Sequence, residues 1–328
     1  MIDAQADRLR ARAAAAGIGP TRADAARTAA RVPDPASVLP GSLARTVAVA
    51  SGKGGVGKST LALGIAMAAA ERGVRTAIVD ADLGLANLDL LAGVRPARTA
   101  ADWMAGRARL SECFVTLAPR LWLLPGASGV ARMADLSPAQ RARFLEGIAR
   151  VSAHVQLVVL DLGAGIAPGT LDVAAAADRL LLVATPEPTA LTDAYAFAKA
   201  CALAGRRGGW SCVTSMSRDA EDGRAAAGRL QSAARAHLGI EVESLGFVRD
   251  DEAVRDAVRA RRPLLALRPR SAAAADIRRV EARIAGVADG AGTGNFVGNL
   301  AARLGMRMVR PAAAAAVAVA ALGGTVTR

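Results

Sequence analysis

Aromatic side chains are scarce, with Phe, Trp and Tyr together making up 3% of the 328 residues. A buried core must therefore be built from Ala, Val and Leu; 52% of the chain is apolar, enough for a sizeable one. Cysteine is almost as rare. Cys113, Cys201 and Cys212 are odd in number and show no C-x-x-C spacing, which implies neither a disulfide framework nor a zinc site. His154 and His237 stand alone and are expected to be structural or surface residues. No uninterrupted apolar run reaches the roughly 18 residues of a membrane span. The first residues carry Asp3, Asp7, Arg8 and Arg10 in place of the apolar segment of a secretory signal. A cytoplasmic protein is expected.

Positive charge, in contrast, is in surplus. Lys and Arg number 42 against 29 Asp and Glu, a formal net charge of +13. Such an excess favours an anionic partner (nucleic acid, acidic lipid headgroups or an acidic protein) unless it is an arginine-biased but ordinary surface. The length suits one α/β domain of roughly 240–250 residues with tails.

The most informative stretch is Thr46 to Thr60, TVAVASGKGGVGKST. Thr46 to Ala50 reads as a short buried strand. Gly52-Lys53-Gly54-Gly55-Val56-Gly57-Lys58-Ser59 then fits G-x-x-x-x-G-K-[ST], and the Ala- and Leu-rich residues 61–72 read as helix. Strand, loop and helix are the context a phosphate cradle requires. Glycines let successive N–H groups face inward, and the helix N-terminus adds partial positive charge. Lys58 is expected to neutralise the β- and γ-phosphates of a nucleotide, and the Ser59 hydroxyl to ligate Mg²⁺. Lys53 is a second cation in the same tight loop, unfavourable unless an anion is shared. Its plain alternative is a solvated loop charge.

Further apolar segments alternate with helical ones. Strands are expected at 76–80, 121–124, 157–161, 179–184, 211–214 and 244–248. Helices are expected over 99–105, 137–151, 191–204, 221–236, 251–260 and 272–286. This alternation predicts an α/β fold with a doubly wound, mostly parallel sheet flanked by helices. Residues 1–44 form an N-terminal arm and 45–287 the globular domain. Residues 288–328 comprise a Gly/Ala linker, a short basic amphipathic segment and an Ala-rich tail.

Two of these strands end in carboxylates, where ligands bind in open parallel sheets. Val158 to Leu160 lead into Asp161, so Asp161 is the candidate metal carboxylate, holding Mg²⁺ through water beside Ser59. Asp82 is the candidate for orienting the attacking water. Asp80 competes with it and could instead secure the P-loop. The Gly163 N–H is placed to sense a γ-phosphate, which makes 161–166 a switch segment.

KGGVGKST resembles the deviant Walker A motif of the MinD/ParA class of ATPases. That resemblance implies a MinD-like P-loop fold, ATP and Mg²⁺ as ligands, and an ATP-dependent homodimer in which Lys53 reaches the partner's nucleotide. VDADLGLANLDLLAG together with VVLDLGAGI looks like the FlhG/FleN branch, the ATPases that set flagellar number and placement; the family usually has Thr where Leu162 stands. In that branch a QAxxLR-type stretch activates the flagellar GTPase FlhF, and Gln5-Ala6-Asp7-Arg8-Leu9-Arg10 matches it, with the preceding acid displaced to Asp3. Binding to flagellar switch or regulatory proteins is implied as well. The family commonly has Asn and Pro near the adenine, where Ser215 and Arg249 stand here.

At the C-terminal end Phe296, Val297, Leu300, Ala301, Leu304 and Met308 fall on one helical face, with Arg303, Arg307 and Arg310 at its edge. Such a face suits in-plane binding to an anionic membrane, each arginine adding roughly 1 kcal/mol. The plain alternative is an ordinary terminal helix packed on the core, and Gly298 and Gly305 weaken its helicity. The first reading gives a switch ATPase, slow without a stimulating partner, associated peripherally with the inner face of the cytoplasmic membrane. The alternative is a ParA-type partitioning ATPase that binds DNA non-specifically, which the charge suits. An iron–sulfur carrier of the same class would want paired cysteines near the C-terminus, and none lie beyond Cys212.

Overall fold

In a computed structural model of the chain, residues 44–82, 86–126 and 137–286 are described, together with Phe296 and Asn299. The QAxxLR-like segment and most of the 288–328 region therefore lie outside the described residues.

The strands are β1 (Arg45–Ala50), β2 (Thr76–Ala81), β3 (Val115–Ala118), β4 (Leu121–Leu124), β5 (Leu157–Leu162), β6 (Arg179–Ala184), β7 (Trp210–Ser217) and β8 (Glu243–Arg249). Their order in the sheet is β3-β4-β2-β5-β1-β6-β7-β8. Every pairing is parallel except β3 with β4, which run antiparallel at one edge. Expected strands at the parallel positions are all present, and the mostly parallel arrangement is as read from the alternation. β3 was not anticipated. Its four residues are half-buried throughout, and the turn back to β4 places Arg120 at φ 64°, so neither apolar alternation nor a glycine marks the hairpin.

Two helical layers cover the sheet. On one face lie α1 (Lys58–Glu71), α2 (Leu88–Ala92), α8 (Glu252–Arg259), α9 (Leu264–Leu267) and α10 (Ala272–Gly286). On the other lie α3 (Ala100–Met104), α4 (Pro138–Ser152), α5 (Pro168–Ala176), α6 (Pro188–Leu203) and α7 (Ala220–Leu238). A 3₁₀ turn, Leu110–Cys113, precedes β3. Successive β1 residues serve opposite layers, Val47 and Val49 one core and Ala48 and Ala50 the other. Both cores are rich in Ala, Val and Leu, as a chain poor in aromatics requires. Helix α1 buries Leu61, Ala62, Leu63, Ile65 and Ala66 and is apolar nearly all round, as suits a helix enclosed on several sides.

Phe296 corrects an expectation. Its side chain is wholly buried within the core on the α5–α6 face, and the Asn299 Nδ2 donates to the carbonyl of Ala176 at 3.2 Å. Phe296 is thus packed against the domain rather than offered to a membrane. Burying a phenyl ring removes a large apolar area from water, which is the physical reason. Val297, Leu300, Leu304, Met308, Arg303 and Arg307 lie outside the described residues. All three cysteines are free and buried, and burial pushes the Cys113 thiol up to about 11 and the Cys212 thiol up to about 12. Among the described residues no helix is long and apolar enough to cross a membrane.

One buried cation closes the back of the sheet. Arg206 donates from Nη1 to the carbonyls of Ala174 and Ala177, at 2.6 and 2.8 Å, and from Nη2 to those of Asp178 and Gly209, at 3.3 and 3.0 Å. Its guanidinium also lies over the Trp210 ring at 5.4 Å. These carbonyls end α5 and flank β6 and β7, and at Gly209 the guanidinium is a second donor beside the Leu180 N–H at 2.8 Å, so one side chain ties a helix end to two strand starts. Arg206→Ala removes the donor shared by these carbonyls and is expected to lower unfolding stability by about 3 kcal/mol, read by chemical denaturation. A loss below about 0.5 kcal/mol would show that water replaces the guanidinium without cost.

Candidate functional site

The loop between β1 and α1 leaves the centre of the sheet. β1 sits between β5 and β6, so the loop emerges flanked by the C-terminal ends of both neighbours. Its backbone is forced into shape by close approach. A Cβ added at Gly52 would lie 2.1 Å from the Asp193 carbonyl oxygen on α6, far inside contact distance. Gly57 stands at φ 80°, in the left-handed region, at the N-cap of α1, and no side chain caps that helix. The N–H groups of the first helical turn are thereby left for a ligand. Gly54 and Gly55 are exposed at the loop tip, Val56 is buried beneath it, and Ser59 and Thr60 are half-buried at its base.

Lys58 is turned inward and is nearly buried. Its Nζ donates to Asp161 Oδ1 at 2.7 Å and lies 3.4 Å from Ser59 Oγ. The structure thus brings together three of the expected phosphate and metal residues. Asp161 Oδ2 is also buried, and no hydrogen bond reaches it among the described residues. An orphaned carboxylate oxygen beside a lysine and a serine hydroxyl is what a hydrated divalent cation would satisfy. Burial pushes the Asp161 carboxyl up, while the adjacent Lys58 ammonium opposes that shift.

Asp80 lies directly across from Asp161 in the β2–β5 register. Burial, and then the charge of Asp161, push its carboxyl up to about 7. Its oxygens accept from the backbone N–H groups of Asp82, Asn87 and Leu88 at 3.2, 3.0 and 3.1 Å. Asp80 therefore secures the loop after β2, not the P-loop, because its oxygens point along its own chain into that turn. Asp82 is consequently held against Gly163, where an added Cβ would meet its carboxylate at 3.2 Å. The Gly165 N–H donates to the Ser51 carbonyl at 3.4 Å, which ties the segment after β5 to the start of the P-loop.

Lys53 points away from Lys58. Its Nζ donates to Glu187 Oε2 at 2.9 Å and to Thr189 Oγ1 at 3.3 Å, both at the start of α6. Hydrogen bonding to Lys53 holds the Glu187 carboxyl below its usual range. These two partners were missed in the sequence. Their signal is the T-P-E-P-T segment that ends β6 and opens the next helix. Further out on that same side of β1, away from the carboxylates, Ser215 near the end of β7 and Arg249 at the end of β8 share a cleft with Gly57 and Thr60.

Residues 47–264 match the family described as the CobQ/CobB/MinD/ParA nucleotide binding domain. The chain is 35% identical over 243 residues to the antiactivator FleN of Pseudomonas aeruginosa, covering 73% of this chain and 86% of that protein. It is 32% identical over 224 residues to the flagellum site-determining protein YlxH of Helicobacter pylori, covering 68% and 76%. Its fold is similar to that of the septum site-determining protein MinD complexed with Mg-ADP from Pyrococcus horikoshii. That match has a TM-score of 0.64 and 23% identity, and covers 75% of this chain and 98% of the other.

Gly52→Ala places a methyl group into the α6 backbone, so the loop must shift even where the domain stays folded. Nucleotide affinity is expected to fall by more than about tenfold, with stability reduced by about 1–3 kcal/mol, measured by titration calorimetry and thermal unfolding. Unchanged affinity would show that the loop can relax away from α6.

Proposed function

The chain belongs to the CobQ/CobB/MinD/ParA nucleotide-binding family, in its FleN/FlhG-type branch, and from that premise we propose that it is an ATP-dependent dimerising switch ATPase regulating the number or placement of flagella. The observation that carries the nucleotide part is the constellation of Lys58, Ser59 and the orphaned Asp161 Oδ2 at the mouth of the P-loop. These residues fit Mg²⁺ and a nucleotide: Ser59 would ligate the ion directly and Asp161 through water. Bound there, the ion supplies neutralisation of charge on the phosphates.

The chain's own groups account for the rest. Lys58 exchanges Asp161 for the β- and γ-phosphates, trading one anionic partner for another. Asp82, fixed by the Asp80 network against Gly163, orients the attacking water, and the Gly163 N–H registers the γ-phosphate. Phosphoryl transfer to water depends on such positioning rather than on covalent help. Hydrolysis is slow without a stimulating partner, because a switch requires a long-lived ATP state.

Lys53 couples the nucleotide to dimerisation. Its ion pair with Glu187 is exposed, so screening by water makes it inexpensive to break, and an exposed cation is free to turn to a phosphate on a second protomer. Ile166, 60% exposed on the segment anchored to Ser51, supplies an apolar residue that a partner would cover. FlhF and flagellar switch proteins are the expected partners, with the arm at 1–44 contacting FlhF. Membrane association rests on the basic segment beyond 295, of which Phe296 itself would have to leave the core to reach a bilayer. The charge of +13 keeps DNA partitioning as the second reading, favoured if ATP promotes sedimentation with DNA but not with anionic liposomes.

Lys53→Ala is expected to abolish ATP-dependent dimers in light scattering while leaving monomeric nucleotide binding within about threefold, since its Nζ rests on Glu187 and Thr189, and Lys58 is the lysine turned into the site. Dimers of normal stability in the variant would remove Lys53 from the coupling.

A further inference from the structure

The end of the sheet remote from the P-loop is lined by arginines. Arg45 begins β1, Arg75 and Arg120 directly precede β2 and β4, Arg179 begins β6, and Arg206 and Arg207 lead into β7. In the order β4-β2-β5-β1-β6-β7 only β5 breaks the row, with Gln156 before it. These strands run parallel, so their starts share one end of the sheet and the P-loop leaves the other. Backbone bonds fix the row. The Thr76 N–H donates to the Arg120 carbonyl at 2.8 Å, the Gln156 N–H to that of Arg75 at 2.7 Å, and the Arg45 N–H to that of Gln156 at 3.1 Å. From β4 to β7 the row extends over roughly 24 Å at the usual strand spacing.

The carboxylates at this end are already engaged. Asp178 Oδ2 accepts from the Thr46 N–H and Oγ1 at 2.8 and 2.7 Å, Glu243 pairs with Arg179 at 2.8 Å, and the buried Glu281 pairs with Arg72 at 3.1 Å. Arg120 and Arg207 are exposed and Arg75 is half-buried, and none of these three forms an ion pair among the described residues. Positive charge is what this end presents. Leu203 adds an apolar tip. It closes α6, four positions before Arg207, and at 80% it is the most exposed large hydrophobic side chain among the described residues. The C-terminal region meets the domain here as well, because Asn299 bonds the carbonyl of Ala176, the last residue of α5 and three positions before Arg179. Arg303 follows four positions later, so the chain enters its basic stretch from this end.

We propose that this end of the sheet is the face that meets an anionic bilayer, with Arg75, Arg120 and Arg207 drawing in the headgroups and Leu203 entering among them. The face serves the membrane association proposed above and rests on that reading. It lets a bilayer be met while Phe296 stays in the core, and it turns the nucleotide site away from the membrane. Each arginine within a Debye length of an anionic leaflet strengthens partitioning roughly fivefold. Nucleic acid offers the same anionic phosphates, but an exposed leucine gains nothing against them, whereas the headgroup region buries it.

The test sediments the full chain, in ATP and Mg²⁺, with vesicles of equimolar phosphatidylcholine and phosphatidylglycerol, and separately with duplex DNA. Combining Arg75→Gln, Arg120→Gln and Arg207→Gln is expected to weaken vesicle partitioning by roughly tenfold or more. The same three positions changed to Lys should stay within about threefold of wild type, since a leaflet attracts charge and does not need a planar fork. A second readout places an environment-sensitive fluorophore on Leu203→Cys, where labelling is selective because the three native cysteines are buried. Its emission should shift to the blue on these vesicles. A Lys variant that loses as much as the Gln variant overturns the proposal, as does a label that stays unshifted on bound protein. A Gln variant that partitions like wild type removes this face alone and leaves the C-terminal segment as the anchor. A wild type that sediments with DNA but with no vesicles removes the membrane association together with it.

Discussion

A buried ion pair at the end of two neighbouring parallel strands, Lys58 with Asp161 at 2.7 Å, is the interaction on which the rest of this site depends. Lys58 opens the helix after β1, and Asp161 stands opposite Val49 in the β1–β5 register. Removing two charges from water is costly, and such a pair seldom stabilises a fold beyond what apolar residues would. Its presence here makes sense as a held position. The lysine is desolvated and aimed before any ligand arrives, and the carboxylate keeps one oxygen unsatisfied. Lysine occurs at three positions only, Lys53, Lys58 and Lys199, in a chain with 42 basic residues, and two of those three lie in this loop. Lys58 serves the phosphate cradle as a compact point charge, in a chain whose other cations are nearly all arginines.

Around that pair the fold arranges two unlike flanks. Toward β2 and β5 lie carboxylates and the turn that sets Asp82 against Gly163. Toward β7 and β8 lies the cleft of Ser215 and Arg249. On the β6 side, Lys53 rests on Glu187 and Thr189. The central strand β1 thus has the carboxylates on one side, and on the other both the Lys53 contacts beside β6 and the cleft beyond it at β7 and β8.

The parts legible in the sequence are those whose signal is local. The strand, loop and helix of the P-loop fit one motif, and a four-residue apolar run announces Asp161. The parallel strands were marked by β-branched and Leu-rich runs. What was not legible depends on contacts between distant segments. Asp80 and Asp82 are two residues apart, and only the backbone path of the loop assigns one to architecture and leaves the other beside Gly163. Glu187 is 134 positions from Lys53. The strand order follows from which apolar faces pack together, and the β3–β4 hairpin turns on an arginine with positive φ where glycine would have been the cue. Phe296 belongs to an apolar face read as lipid-binding, but apolarity alone does not tell lipid from a protein core, and the core takes Phe296 here.

The most direct measurement of the central claim is the magnesium dependence of ATP affinity in wild type and in Asp161→Asn, by titration calorimetry. If Asp161 is released by Lys58 to hold the hydrated ion, Mg²⁺ should strengthen ATP binding in wild type. Asp161→Asn should then lose most of that enhancement, roughly tenfold or more, while its Mg²⁺-free affinity is no weaker because Lys58 has lost a competitor. An Asp161→Asn protein that retains the full magnesium enhancement would contradict the account.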